Sequence, residues 1–234
     1  MFEFLFLDLD DTILDFHKAE RIALGKTLEA FGVTPTEAVC ARYSELNRQH
    51  WERLERGELT RRQVAVGRFA ALFEELGTQV DASACAARYE ENLAIGHYFL
   101  PGAEDALKAL SGRYKLYLAS NGTARVQAGR LASAGIAPYF ADIFVSEQLG
   151  ADKPSRAYFD LCFAQIPNFD PRRAMMVGDS LTSDILGGIR AGMATCWVNA
   201  RRIPPRADIR PDHEIGSLAE LPALLARLCS GAVV

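Results

Sequence analysis

Hydrophobic and polar positions follow two different rhythms along the chain. From about residue 98 onward, short apolar runs alternate with helical patterns: Lys115–Ala119, Ile143–Val145, Ala174–Val177 and Ala194–Val198. Each run is nearly continuous in apolar character, the pattern of parallel strands covered on both faces by helices. Phe2–Leu7 reads the same way, so the sheet is predicted to begin at the N-terminus. Between about 16 and 97 no such run occurs, and helix signals take over. Thr60-x-x-Gln63 spells a capping box ahead of Val64, Phe69, Leu72, Phe73 and Leu76, with Gly77 as the stop. Asp15, Thr36 and Asp81 are candidate N-caps for three further helices. An all-helical block interrupting a βα series predicts an α/β, doubly wound parallel-sheet core over residues 1–15 plus 98–234, with a helical cap inserted over 16–97. Ser217-x-x-Glu220 reads as a capping box for a closing helix, Gly187-Gly188 as close backbone packing, and Arg201–Arg206 as an exposed loop.

Open α/β sheets bind ligands outside the carboxyl ends of their strands, so the residues following each run carry the candidate chemistry. They are Asp8-Leu9-Asp10-Asp11-Thr12, Ser120-Asn121-Gly122, Lys153-Pro154 and Gly178-Asp179 running on to Asp184. Singly, each has an ordinary reading as a helix cap, a turn or a solvated side chain. Together, in order at successive strand ends, they suit phosphoryl transfer. One carboxylate can attack phosphorus, and a second can protonate the leaving oxygen and later activate water. Carboxylates gathered at one point repel unless a cation lies between them, and hard oxygen ligands beside a phosphate imply Mg²⁺, with Asp179 completing the ligand set. Ser120 and the amide of Asn121 can hydrogen-bond phosphate oxygens, while Lys153 balances their charge.

Asp8-x-Asp10-x-Thr12, Ser120-Asn121, Lys153-Pro154 and Gly178-Asp179…Asp184 resemble the four motifs of the haloacid dehalogenase (HAD) superfamily, in order over nearly the whole chain. The helical block resembles that family's C1-type cap on a Rossmann-like core. The resemblance implies that Asp8 is the nucleophile and Asp10 the general acid/base. It also implies that Thr12, Ser120, Asn121 and Lys153 hold the phosphoryl group. Mg²⁺ would sit on Asp8, the backbone carbonyl of Asp10 and Asp179, with Asp184 in support. An acid at position 10 resembles the phosphatase branch; dehalogenases proper lack one there. Sugar-phosphate mutases share the first motif. Trp51–Arg61, Arg68–Phe73, Val145–Gln148, Gly178–Asp184 and Cys196–Asn199 resemble the YjjG-type pyrimidine 5′-nucleotidases, which implies a pyrimidine nucleoside 5′-monophosphate as substrate. N-acylneuraminate-9-phosphatases share part of that pattern, and phosphoglycolate phosphatases are a third neighbour.

Composition narrows the rest. The 26 basic and 30 acidic side chains of the 234 residues give a net charge of -4 with no basic stripe, which argues against a nucleic-acid polymer as partner. Five widely spaced cysteines with no C-x-x-C argue against disulfides and zinc, and predict buried free thiols in a cytoplasmic protein. No apolar run approaches the roughly 18–20 residues of a membrane span, and the Phe2–Leu7 run is too short for a signal peptide. Gly178-Asp179-Ser180-Leu181 also spells the signature of GDSL esterases. No triad can be assembled from it, because the one late histidine, His213, has Arg210 three positions before it. Phosphoacceptor signalling domains lack a helical insert. His17, His50, His97 and His213 show no metal-ligand spacing. Trp51, Phe69 and Phe73 are read as cap core; Arg68 and Phe16 fit a surface or packing role as readily as a substrate-facing one. The expected partner is a small phosphorylated metabolite, met by a monomer or homodimer.

Overall fold

Side chains of successive strand residues point to opposite faces, so a strand that is apolar at every position is buried on both. The computed structural model, which describes residues 2–229, bears this out in one six-stranded sheet. Its strands are β1 (Phe4–Leu7), β2 (Lys115–Ser120), β3 (Phe140–Val145), β4 (Ala174–Gly178), β5 (Ala194–Val198) and β6 (His213–Ile215). They run parallel in the order β3-β2-β1-β4-β5-β6. Four helices follow β1: α1 (Phe16–Ala30), α2 (Glu37–Glu55), α3 (Arg61–Glu75) and α4 (Ala82–Leu93). The remaining helices are α5 (Ala103–Ser111), α6 (Ala124–Ala134), α7 (Ser146–Leu149), α8 (Arg156–Phe163), α9 (Leu186–Ala191) and α10 (Leu221–Cys229).

Leu5 and Leu7 join Leu116, Leu118, Met175 and Val177 on one face, packed against α5 and α10. Phe4 and Phe6 join Tyr117 and Met176 on the other, packed against Tyr158, Phe159 and Cys162 of α8. Gly187 and Gly188 let α9 close on the sheet: a Cβ at Gly187 would lie 2.6 Å from the Phe159 ring, and one at Gly188 would lie 2.8 Å from Met176.

The four helices after β1 bury a separate apolar cluster built on Leu28, Tyr43, Phe69, Leu72, Cys85 and Tyr89. Asp15, Thr36 and Asp81 cap α1, α2 and α4 through their side chains, and Thr60 with Gln63 closes the capping box of α3. The chain leaves for this block and returns from it side by side. Leu14 bridges Phe99, and the Asp15 N–H donates to the Tyr98 carbonyl at 2.7 Å.

Four expectations need correction. β6 was not legible, because a three-residue edge strand carries no usable pattern. β3 starts three residues earlier than its apolar run, since its first half is an exposed sheet edge. Ser217 does not cap a backbone N–H; its hydroxyl and the Gly216 N–H both donate to the Glu220 carboxylate, which leads through a 3-10 turn into α10. The cysteines are all free, yet Cys229 is exposed and Cys40 only half-buried against the edge of the helical block's apolar cluster. Among the described residues no helix is long and apolar enough to cross a membrane.

Candidate active site

The strand order reverses beside β1, and the residues leaving β1 therefore open into the crevice between the ends of β2 and β4. The Asp8 N–H still donates to the Val177 carbonyl at 3.0 Å, so its side chain is fixed by the sheet itself. Beyond it the chain turns sharply: Asp11 takes a positive φ of 56°, and the Ile13 and Leu14 N–H groups both return to the Leu9 carbonyl.

Lys153 reaches Asp8 from across the sheet end. Its ammonium, buried with the rest of the side chain, donates to Asp8 Oδ1 at 2.7 Å, Asp184 Oδ1 at 2.6 Å and the Ala119 carbonyl at 2.6 Å. Asp184 comes from a π-type turn (Leu181–Ile185) after β4, and its other oxygen accepts the Ser180 N–H at 3.0 Å. Gly178 is required here, because a Cβ would fall 2.2 Å from the Asp184 carboxylate. Asp8, Asp179 and Asp184 each bring an oxygen within 4.8 Å of the others. Burial, against the Lys153 ammonium and with Asp184 and Asp10 adding to it, pushes the Asp8 carboxyl up to about 8. Burial beside Asp184 and Asp8 raises Asp179 well above the usual carboxylate range. Lys153 is raised by its two carboxylate partners despite its burial. Such a trio is a set of hard oxygen donors short of positive charge.

Asp10 stands apart from that trio. One oxygen is held by the Arg130 guanidinium and the other by Gln127 Nε2 at 2.9 Å, both from the same face of α6. Gln127 also donates to Ser120 Oγ at 2.8 Å. Neither Gln127 nor Arg130 was singled out from sequence. The signal was present in α6, where Val126, Gln127, Arg130 and Leu131 form one buried stripe, so two long polar residues occupy core-facing positions.

Not every expected residue faces the cleft in the expected way. Ser120, Asn121 and Lys153 line it, but the Asn121 side chain is already engaged as a clip. It donates to the Lys153 carbonyl at 2.9 Å and to Ser183 Oγ at 3.2 Å, and it accepts the Lys153 N–H at 2.8 Å. The Asn121 main-chain carbonyl is taken by Arg61, which leaves only its main-chain N–H for a ligand. Thr12 is buried with an unpartnered hydroxyl and is not among the cleft-lining residues, since the turn at Asp11 carries it beneath the loop. Asp184, expected in support, joins Asp8 and Asp179 directly.

The cleft holds about 230 Å³ and is roofed from α1, α2, α3 and α4 by Phe16, Trp51, Glu55, Arg68, Glu90 and Leu93. Trp51 was expected in the core of the helical block; it lies half-buried on the cleft wall, because its side of α2 faces the sheet end. Several contacts tie the helical block to the sheet side, two of them at the cleft. Arg61 of α3 donates to the Asn121 and Gly122 carbonyls at 3.1 and 3.2 Å and pairs with Asp152. Thr182 donates to Glu55 at 3.3 Å, and burial together with the nearby Asp184 charge pushes Glu55 up to about 7.

Residues 3–192 match the model of the haloacid dehalogenase-like hydrolase family. Over 217 residues the chain is 40% identical to the HAD-hydrolase YfnB of Bacillus subtilis, spanning 93% of this chain and 92% of that one. It is 38% identical to the pyrimidine 5′-nucleotidase PynA of Streptococcus pneumoniae, with 94% and 93% covered. It is 34% identical to the pyrimidine 5′-nucleotidase YjjG of Escherichia coli, with 96% and 98% covered. A magnesium-bound crystal structure of YfnB, described as revealing interdomain movement, superposes with a TM-score of 0.92 at 39% identity over 96% of this chain and 98% of that one.

Proposed function

The chain belongs to the haloacid dehalogenase-like hydrolase family, and on that premise we propose that it is a Mg²⁺-dependent phosphomonoesterase that hydrolyses pyrimidine nucleoside 5′-monophosphates in the cytoplasm through an aspartyl-phosphate. One observation carries the reaction: two carboxylates on one loop, Asp8 and Asp10, are held apart by different partners at the floor of a single cleft. The identity to two pyrimidine 5′-nucleotidases over nearly the full length supports the substrate class.

In the first step an Asp8 oxygen attacks phosphorus, the bond from phosphorus to the ester oxygen breaks, and Asp10 gives its proton to that departing oxygen. In the second step a water oxygen attacks the same phosphorus while Asp10 takes its proton. Phosphate leaves and Asp8 is restored. The Ser120 hydroxyl, the main chain at Asn121 and Gly122, and the Lys153 ammonium orient the phosphoryl group and offset its charge. Asp8, Asp179 and Asp184 suit a divalent cation by their chemistry: three carboxylates lie within 4.8 Å with one ammonium among them. When bound, such a cation offsets the negative charge of the phosphoryl oxygens and of the carboxylates around it.

The cleft lies between the helical block and the strand ends, so substrate entry and product release can be coupled to movement of one against the other. We assign that movement to a cap over residues 16–97 against a core of 1–15 plus 98–234, hinged where Leu14 and Phe99 run together. The test is phosphate release with Mg²⁺ across UMP, dUMP, dTMP, purine monophosphates, N-acetylneuraminate-9-phosphate, phosphoglycolate and hexose phosphates, with the Asp8→Asn protein as blank. A highest kcat/KM on a pyrimidine nucleotide supports the reading. A highest value on the sialic acid or glycolate ester overturns the substrate class and leaves the reaction, and a hexose phosphate isomerised without phosphate release overturns hydrolysis in favour of a mutase.

A further inference from the structure

The two ends of the cleft differ in chemistry. The floor carries Asp8, Asp10, Asp179, Asp184 and Lys153; the roof carries Phe16, Trp51, Leu93, the carboxylates Glu55 and Glu90, and one cleft-lining cation, Arg68 of α3. Arg68 is only 5% exposed, and no carboxylate lies within ion-pair distance of its guanidinium among the described residues. Its charge sits instead over three rings, 5.0 Å from the centroid of Tyr89, 5.7 Å from Tyr43 and 5.8 Å from Phe69.

The head group is held firmly. Arg68 NH1 donates to Asn47 Oδ1 at 2.5 Å, Asn47 Nδ2 donates to Glu20 Oε1 at 2.7 Å, and the Ser44 hydroxyl donates to Glu20 Oε2 at 2.5 Å. This relay runs from α3 through α2 to α1 and holds the guanidinium in place. It leaves Nε buried with no partner. A guanidinium has five N–H donors and no acceptor, so an unpaired buried one beside a cavity is a ready site for acceptor atoms. Burying a guanidinium with no carboxylate in ion-pair distance costs free energy, so stability alone does not account for its place there.

Resting on the nucleotide reading above, we propose that Arg68 holds the base of the substrate, donating to its ring carbonyl oxygens, with Trp51 and Phe16 forming the apolar wall at that end of the cleft. Glu90 lines the cleft near Arg68 and disfavours a head group bearing its own carboxylate. A neutral planar ring with carbonyl acceptors meets the donors without meeting that repulsion. The relay through Asn47 and Glu20 is then a positioning device for Arg68.

The experiment measures kcat/KM for UMP, ribose 5-phosphate and phosphoglycolate with the wild type, Arg68→Met and Arg68→Lys, together with the melting midpoint of each. Arg68→Met is expected to lower the ratio of UMP to ribose 5-phosphate by about 10- to 100-fold, the loss for hydrogen bonds to a charged group, with the midpoint lowered as the buried Asn47 amide loses its donor but the chain still folded. Arg68→Lys keeps the charge and loses the fork, and falls between. An unchanged ratio in both variants overturns the proposal. So does a loss confined to phosphoglycolate, which would make Arg68 a carboxylate site, or a collapse of folding in both variants, which would make it structural. A wild type that does not prefer UMP to ribose 5-phosphate fails earlier, at the nucleotide reading itself.

Discussion

Replacing Lys153 by Met removes the one ammonium that separates Asp8 from Asp184. The wild-type side chain donates at 2.6–2.7 Å to both carboxylates and is buried with them. Its removal leaves Asp8, Asp179 and Asp184 with oxygens within 4.8 Å of one another and no cation between them. At that spacing each like-charged pair costs about 3.5 kcal/mol at an effective dielectric of about 20. Asp8 and Asp179, already raised above the usual carboxylate range, relieve most of this by holding protons at pH 7, so the net loss is expected near 3–5 kcal/mol, the usual cost of breaking a buried pair from one side, here that of Lys153 with Asp184. For a chain of this size that corresponds to a melting midpoint lower by roughly 10 °C. The assay is thermal unfolding by circular dichroism at pH 7, in EDTA and again in excess Mg²⁺. The variant is expected to recover more from Mg²⁺ than the wild type does, because a dication supplies the missing charge. A variant that melts within about 2 °C of wild type in EDTA refutes the electrostatic role of Lys153. Equal Mg²⁺ shifts in the two proteins refute the link between Lys153 and the carboxylate trio.

Three further outcomes follow from the same geometry. Asp10→Ala is expected to lose about 10²–10⁴-fold on a nucleotide and markedly less of the bond-breaking step on p-nitrophenyl phosphate, whose leaving group needs no proton; equal burst rates lost on both substrates would remove Asp10 from the acid role. Glu55 has its folded pKa raised from 4.5 to about 7, so its ionised form opposes folding, and stability falls as pH rises across that window. Glu55→Gln is therefore expected to gain about 1–2 kcal/mol at pH 8 and little at pH 4.5, after solvent screening of a half-buried carboxyl, and a gain independent of pH in urea titrations would contradict this. Gly178→Ala forces a Cβ to within 2.2 Å of Asp184, and is expected to abolish both turnover and the Mg²⁺-induced rise in melting midpoint; retention of either would show that the loop accommodates the methyl group.

The sheet was legible because strands buried on both faces must be mostly apolar, and β1, β2, β4 and β5 are, with Lys115, Ser120 and Thr195 the polar exceptions. The helix starts were legible for a local reason: Asp15, Thr36, Thr60 and Asp81 cap backbone groups within three residues of themselves. The strand-end acids could be gathered into one place because a parallel sheet presents all its carboxyl ends together. Side-chain partners were less legible, since they depend on packing between distant segments. Nothing near Asp10 in sequence announces Arg130, 120 positions away, and nothing near Lys153 announces that Asn121 is occupied in clipping it. Trp51 and Arg68 share a helical periodicity with true core residues, and only the placement of α2 and α3 over the sheet end turns them toward the cleft.

The central claim is a phosphoryl group carried on Asp8. Single turnover of UMP with Mg²⁺, stopped in acid on the millisecond scale and analysed by peptide mass spectrometry, tests it most directly. The account predicts a transient phosphoryl adduct on the peptide containing Asp8, formed no slower than turnover, lengthened in life by Asp10→Ala and absent in Asp8→Asn. Full turnover with no adduct at Asp8, or turnover persisting in Asp8→Asn, would mean that water attacks the ester directly and that Asp8 is not the nucleophile.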